Sequence, residues 1–221
     1  MKFNGIKAII FDVDGVLVDN IGLHYKAWSI FCGDYGLPPL TETAFREKLF
    51  GKTNHDTLEF LFQRKLTESE VITFSEIKER LYRQLAENEL KPLNGLVAFL
   101  DYLKKEKIPF GIASSGPRIN IDFILKQTGL SSYFKLITDA SQVSRGKPDP
   151  EVFLITSAKL GVEPEKCLVF EDSFMGIEAA QRAGMQVVGV ATTYSQHELP
   201  GEIEKISDFT EMEFLHLNNC V

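Results

Sequence analysis

The sequence has few cysteines, no excess of positive charge and no long apolar run, and each absence argues against a class of protein. Its three cysteines (Cys32, Cys167 and Cys220) are odd in number and form no C-x-x-C pair, which fits a reducing cytosol rather than a disulfide framework. A net charge of −7 argues against binding to nucleic acid or to an anionic membrane surface. The N-terminus lacks a signal-peptide pattern, and no run of residues is apolar enough to span a bilayer. These features predict a cytoplasmic globular protein with no membrane or nucleic-acid partner.

What the sequence does contain is a short apolar run that ends at two carboxylates. The residues from Ala8 to Phe11 predict a buried parallel strand. Asp12 and Asp14 follow at i and i+2, a spacing that places both side chains on one face of an extended chain, and Gly15 allows a sharp turn behind them. Two acids at the end of a buried strand repel each other and lose hydration, so a cation must offset that cost. A hard divalent ion such as Mg²⁺ is the natural candidate because it takes oxygen ligands.

Two other interpretations of this acidic motif are weaker. A helix cap needs one acid, whereas here two acids bracket the apolar Val13. An EF-hand calcium loop would place its closing glutamate at Leu23 or Tyr25, depending on which acid opens the loop, and neither residue is an acid. The calcium loop is therefore excluded, and metal binding is favoured over capping.

Residues from about 20 to 90 carry helical periodicity and no β-branched alternation. The clearest helix places Phe74, Ile77, Leu81 and Leu85 at steps of three and four, with charges on its other face. This stretch predicts an all-helical unit, here called the cap (residues 20–90), inserted after the first strand. Two linkers, near residues 18–20 and 90–92, would join the cap to the remainder of the chain.

From residue 92 onward, predicted strands and helices alternate. Strands are expected at 108–113, 136–137, 167–170 and 186–190, each separated from the next by a helical pattern or a loop. Such alternation predicts a mostly parallel sheet covered by helices on both faces. The predicted fold is therefore α/β, with a Rossmann-like three-layer core formed by residues 1–19 and 91–221 and the helical cap inserted in it.

Polar side chains follow several of these strands. Ser114 comes after the second strand, Glu171 and Asp172 come after the fourth, and Lys147 lies in a loop before a helix. Taken singly, each has an ordinary explanation: a turn serine, a solvated lysine, or acids that cap a helix. The carboxyl ends of parallel strands meet at one edge of the sheet, so these side chains can converge with the first two acids. Together they predict a site for phosphoryl transfer.

Four stretches of the chain carry these groups in order: Asp12-Val13-Asp14-Gly15-Val16-Leu17, Ser114, Lys147-Pro148, and Glu171-Asp172-Ser173 with Gly176-Ile177-Glu178-Ala179. In this order and spacing they resemble the four motifs of the haloacid dehalogenase-like superfamily. The cap, with His24-Tyr25-Lys26-Ala27-Trp28, resembles that of the beta-phosphoglucomutase-like subgroup.

This resemblance implies roles for the matching residues. Asp12 would be the nucleophile that forms an aspartyl-phosphate, Asp14 the general acid and base, and Ser114 and Lys147 the ligands of the phosphoryl oxygens. Mg²⁺ would be bound by Asp12, by the backbone carbonyl of Asp14 and by Asp172, with Glu171 in support. Asp14 also argues against a true haloacid dehalogenase, which needs neither that acid nor a metal.

The cap bears on the choice between a phosphatase and a phosphomutase. Mutases of the subgroup carry a lysine just before the glycine that matches Gly51 and an arginine three residues after it, where this chain has Phe50 and Asn54. A mutase must grip a second phosphate, and the loss of two cations weakens that grip unless Lys52 or Arg118 replaces them. We therefore expect hydrolysis of a small phosphomonoester, with a beta-phosphoglucomutase-type mutase as the alternative.

Two further interpretations are disfavoured. A P-loop ending in Gly51-Lys52-Thr53 would need its first glycine at Arg46. A binding protein without catalysis is unexpected because no motif residue is missing.

Closure of the cap would bring its residues to the substrate. The protein is expected to be a monomer or weak dimer. The predicted substrate-binding residues are His24, Gly51, Lys52, Ser115 and Arg118.

Overall fold

A six-stranded parallel sheet is the centre of the fold in the computed structural model, which describes residues 5–212. The strands are β1 (Ala8–Phe11), β2 (Phe110–Ala113), β3 (Ile137–Thr138), β4 (Cys167–Glu171), β5 (Gln186–Val190) and β6 (Glu204–Ile206). Their order is β3-β2-β1-β4-β5-β6, and all neighbours are parallel. Ile10 of β1 pairs with Gly111 on one side and with Val169 on the other. The carboxyl ends of β1, β2 and β4 are therefore adjacent.

Helices cover both faces of this sheet. The helices in chain order are α1 (Ile21–Asp34), α2 (Glu42–Lys48), α3 (Asn54–Phe62), α4 (Glu68–Ala86), α5 (Leu96–Lys105), α6 (Arg118–Gln127), α7 (Glu151–Leu160) and α8 (Phe174–Arg182). Alternate residues of β1 face opposite layers: Ile9 and Phe11 lie in one buried cluster with α5 and α6, and Ala8 and Ile10 lie in another with α7 and α8. The predicted three-layer α/β core is confirmed, and it follows from strands that are apolar on both faces.

The segment predicted as the cap is helical and has a buried cluster of its own. Trp28 and Phe31 of α1 pack there with Phe45 of α2 and with Leu58 and Leu61 of α3. The two connections to the core lie side by side, since Leu93 N donates to Leu17 O over 2.9 Å and residues 18 and 92 form an isolated bridge. The division into two domains at residues 20 and 90 stays a prediction, and residues 1–4 and 213–221 of the predicted core lie outside the described residues.

Two features of the fold differ from the sequence prediction. The edge strand β6 was not predicted because Glu204–Ile206 has only three residues and no apolar run; it pairs with β5 at the end of the sheet. The charges of α4 do not all lie on a solvated face, since Lys78 is 2% exposed and Glu79 is 5% exposed. Their ion pair with each other, at 2.9 Å, offsets the cost of their burial.

Two observations bear on the compositional predictions. Cys32 and Cys167 are buried free thiols, and Cys220 lies outside the described residues. Within residues 5–212, none of the helices combines the length and the apolar character that crossing a membrane requires.

Candidate active site

Asp12, the first residue after β1, shares a lysine with a second acid. Lys147 Nζ donates to Asp12 Oδ1 and to Glu171 Oε1, each over 2.7 Å, and all three side chains are buried. Burial raises the pKa of Asp12 to about 7; Lys147 opposes the rise, and Glu171 and Asp14 add to it. Burial alone would lower the pKa of Lys147, but the two carboxylates outweigh it and hold that pKa above its ordinary value. The ammonium of Lys147 is therefore fixed beside Asp12, but it does not fully compensate the charge of the Asp12 carboxylate.

Asp14 has a different environment, formed by residues at the start of the cap and in α4. Its Oδ1 accepts from Asn20 Nδ2 over 2.6 Å and lies 3.2 Å from His24 Nε2. His24 stacks on Tyr82, with 3.9 Å between ring centroids, and its Nδ1 lies 2.9 Å from Lys78 Nζ. A lysine ammonium can only donate, so Nδ1 accepts and Nε2–H donates to Asp14. Burial would raise the pKa of Asp14, but His24, Asn20 and Lys78 outweigh it and hold that pKa below its ordinary value.

Asp172, directly after β4, is a buried acid with an unused oxygen. Thr193 Oγ1 donates to its Oδ2, whereas its Oδ1 is buried without a hydrogen-bond partner among the described residues. Burial raises the pKa of Asp172 well above its ordinary value, and the neighbouring Glu171 and Asp12 raise it further. A buried carboxylate oxygen with no donor is costly unless a cation completes it.

The carboxylates of Asp12 and Asp172 fit a Mg²⁺ ion, which commonly takes one or two carboxylates and fills its other positions with water and substrate phosphate. The two oxygens of Glu171 are already engaged, one by Lys147 and the other by Ser173 N at 2.8 Å and Ser173 Oγ at 2.9 Å. Glu171 therefore positions Lys147 and Ser173. Among residues 5–212, no three or more His, Cys, Asp or Glu side chains are grouped to hold a metal by themselves.

The predicted phosphate ligand Ser114 follows β2 and faces the same space. It is 1% exposed, and its Oγ accepts from Gly116 N over 3.0 Å. Ser114 lines a cavity of about 80 Å³ together with Asp12, Asp14 and Lys147. The space is small and partly enclosed because the cap helices lie over the strand ends.

Four of the five predicted substrate-binding residues line this cavity: His24, Gly51, Lys52 and Ser115. Arg118 does not line it. It lies at the start of α6, pairs with Asp122 at 2.9 Å, and lines an adjoining groove of about 850 Å³. Of Lys52 and Arg118, the two residues that could replace the missing cations of a mutase, Lys52 alone lines the cavity.

Several cavity residues were not predicted from the sequence. Lys78 could have been found on α4, because it shares an i, i+4, i+8 stripe with the buried Tyr82 and Ala86. Its neighbour Glu79 lies off that stripe. No local signal marks Asn120, which reaches the cavity from α6.

The chain is similar to proteins of one known family. The family model for haloacid dehalogenase-like hydrolases matches residues 9–190. The chain is 34% identical over 185 residues to a phosphorylated carbohydrates phosphatase of Thermotoga maritima, an alignment that covers 82% of this chain and 83% of that protein. It is 33% identical over 219 residues to a beta-phosphoglucomutase of Bacillus subtilis, covering 96% of this chain and 94% of that protein.

A solved structure shares the whole architecture. The haloacid dehalogenase-type hydrolase of family IA, variant 3, from Entamoeba histolytica superposes with a TM-score of 0.87 at 30% identity, covering 97% of this chain and 98% of that chain. Sheet and cap helices are thus both shared with that enzyme.

Proposed function

The chain belongs to the haloacid dehalogenase-like hydrolase family, and from this premise we propose that it is a Mg²⁺-dependent phosphatase of a small phosphorylated metabolite, such as a sugar phosphate. The observation that carries the proposal is the pair Asp12 and Asp14. They are one residue apart, yet one carboxyl lies beside Lys147 and the other is held by His24 and Asn20. A nucleophile and a separate proton-transfer group are what a two-step phosphatase needs.

In the first step, an oxygen of Asp12 attacks the phosphorus and the bond to the leaving oxygen breaks. Lys147, fixed by Glu171 at 2.7 Å, and Ser114 hold the phosphoryl oxygens as charge shifts to them. Asp14, in its protonated form, gives its proton to the leaving oxygen. A bound Mg²⁺ supplies positive charge that offsets the repulsion between the Asp12 carboxylate and the anionic phosphate.

In the second step, water attacks the phosphorus of the aspartyl-phosphate and the bond to Asp12 breaks. Asp14 takes the proton from that water. Asn20 and His24 both contact Asp14 Oδ1, so they orient this carboxyl beside the cavity for both proton transfers. The cycle ends with inorganic phosphate, free Asp12 and protonated Asp14.

The alternative is a phosphomutase, which the likeness to the Bacillus subtilis enzyme favours. Against it stand two residues of the cap. Phe50 packs against the ring of Phe45, with 6.1 Å between centroids, and Asn54 donates to Glu79 over 2.8 Å. Neither supplies a cation for a second phosphate, so we place hydrolysis before isomerisation.

The test is a phosphate-release screen over sugar phosphates, nucleotides and pyrophosphate, with Mg²⁺ and after chelation by EDTA. An assay for conversion of β-glucose 1-phosphate to glucose 6-phosphate, with the bisphosphate primer, runs beside it. We expect Mg²⁺-dependent phosphate release from one or a few monoesters to exceed isomerisation. Activity that survives thorough chelation would remove the metal from the proposal. Efficient isomerisation with little release would establish the mutase instead.

A further inference from the structure

Glu79 of α4 is a buried acid that lines the same cavity as the catalytic carboxylates. Its Oε1 accepts from Asn54 Nδ2 over 2.8 Å and from Lys78 Nζ over 2.9 Å. Its Oε2 accepts from Asn120 Nδ2 over 2.5 Å. Three donors, one each from α3, α4 and α6, therefore fix this carboxylate in one position.

The carboxylate is ionised, and it changes the charge of the cavity. Burial would raise the pKa of Glu79, but Lys78, His24 and Asn54 outweigh it and hold that pKa below its ordinary value. The charge of Lys78 is in turn compensated by Glu79 at 2.9 Å. Among the described cap residues that line the cavity, Lys52 is the other lysine or arginine, and its Nζ lies 5.8 Å from the ring centroid of Phe60. The part of the cavity formed by α3 and α4 is therefore close to neutral, with a fixed negative group at its wall.

We propose that Glu79 is a specificity-determining residue, which makes the cavity accept a leaving group that is neutral and bears hydroxyls and reject one that carries a second phosphate. The inference rests on the proposed phosphatase function and specifies its substrate class. A second phosphate at this wall would lose hydration and find no net positive charge, because Lys78 is already paired with Glu79. A hydroxyl would instead find an acceptor, because Oε2 holds one hydrogen bond and a carboxylate oxygen can accept two.

Glu79 also contacts Asn54, the cap residue that differs from the mutase pattern. Asn54, at the position where the subgroup's mutases carry an arginine, gives its amide to Glu79. An arginine side chain there would pair with Glu79 and lose its free charge. The acid thus works against a second phosphate by occupying the neighbouring donors, Lys78 and Asn54.

The first experiment compares sugar monophosphates with the corresponding bisphosphates on the wild-type enzyme: glucose 6-phosphate with glucose 1,6-bisphosphate, and fructose 1-phosphate with fructose 1,6-bisphosphate. We expect kcat/KM for phosphate release to favour the monophosphate in every pair that reacts. A wild-type enzyme that uses the bisphosphate as well as or better than the monophosphate would overturn the inference, with Lys52 as the residue that attracts the second phosphate. Absence of release from every monophosphate would contradict the proposed function itself, which is a different result.

The second experiment measures the ratio of kcat/KM for bisphosphate to that for monophosphate in three variants. Glu79→Gln removes the charge and keeps the shape, and should raise the ratio about tenfold or more, because a charged contact of this kind is worth at least one order of magnitude. Asn120→Ala removes the donor to Glu79 Oε2 but keeps the carboxylate. Glu87→Gln removes an exposed acid at the end of α4.

Both comparison variants should leave the ratio unchanged. An unchanged ratio in Glu79→Gln, or an equal rise in Asn120→Ala, would show that the charge of Glu79 does not select the substrate. If Glu79→Gln does not fold, the wild-type ratios decide the question alone.

Discussion

Asp12 and Asp14 are separated by one residue, and the fold gives them opposite surroundings. Asp12 lies beside Lys147 and Glu171, and its pKa is raised to about 7, chiefly by burial. Asp14 faces donors from Asn20 and His24, which outweigh burial and lower its pKa. Two carboxyls whose environments push their pKa values apart are suited to different tasks in one reaction.

These surroundings predict different effects of the same substitution. Asp12→Asn should be essentially inactive, because an amide cannot form an acyl phosphate. Asp14→Asn should lose about 10²- to 10⁴-fold in turnover, the usual worth of a positioned acid and base, while it keeps slow phosphoryl capture. Steady-state phosphate release and trapping of the phosphoenzyme separate the two. Wild-type turnover in Asp14→Asn would remove that residue from the proton transfers.

Gly176 lies in the first turn of α8 because no larger residue fits beside Glu171. A Cβ built at Gly176 would overlap the carboxylate of Glu171, which orients Lys147. Gly176→Ala should therefore destabilise the protein by about 1–3 kcal/mol, as overpacking does, and reduce activity by displacing Lys147.

Gly33 in α1 is the matched control, because a Cβ there meets no atom within 4 Å. Gly33→Ala should keep its activity and stabilise the protein by up to about 1 kcal/mol, the ordinary gain of alanine in a helix. Thermal unfolding and phosphate release are measured for both variants. Equal behaviour of the two alanines would show that Glu171 is free to move.

At the scale of the element, α4 begins with a complete capping box. Thr67 Oγ1 accepts from Glu70 N, and the Glu70 carboxylate accepts from Thr67 N over 2.8 Å. Arg64 donates to Glu70 as well. Hydrogen bonds from Arg64, and then from Thr67, lower the pKa of Glu70 to about 2. These contacts fix the start of the helix that carries Lys78 and Glu79 to the cavity.

The capping box predicts a pH-dependent contribution to stability. The folded pKa of Glu70 lies below its ordinary value of 4.5, so its contribution is present above that value and is lost as the pH falls toward about 2. The loss of melting temperature caused by Glu70→Gln should therefore shrink between neutral pH and about pH 3. Glu76→Gln, in the same helix, is the control, and should show a smaller loss at neutral pH. A Glu70→Gln effect that stays constant with pH would exclude the ionised cap.

At the scale of the whole molecule, side chains of α1 and α4 join the cap helices to the core directly over the strand ends. His24 contacts Asp14, and Glu79 and Arg83 both bond Asn120 of α6, over 2.5 Å and 2.6 Å. These contacts lie beside the cavity, and we expect them to link the position of the cap to the exclusion of water from the reaction.

The double contact of Asn120 predicts its effect on kinetics. Asn120→Ala removes both bonds between α4 and α6 and should favour an open cap. KM should rise about tenfold for all substrates, the worth of one hydrogen bond to a charged group, with a smaller change in kcat. The control is Arg80→Ala, an exposed position on α4, which should leave KM unchanged. A fall in kcat at constant KM would place Asn120 in the chemistry rather than in closure.

The sequence by itself determined five of the six strands in the described residues, the helical stretch between residues 20 and 90, and the strand ends on which the candidate site lies. These features follow from local pattern: apolar runs that end in acids at β1 and β4, and helical periodicity between residues 20 and 90. Parallel strands bring their carboxyl ends to one edge, so Asp12, Ser114 and Asp172 could be placed near one another without coordinates.

Only the tertiary structure decided the chemistry of the cavity wall. Glu79 meets Asn120 across 41 residues of sequence, and His24 meets Lys78 across 54. Periodicity places Lys78 on the buried stripe of α4, but it marks Glu79 as an ordinary helix charge and gives no reason to keep Arg118 out of the cavity. Whether a charge is buried or solvated depends on the partners that distant elements bring to it, because the cost of desolvation is offset only by contacts that exist once the chain has folded.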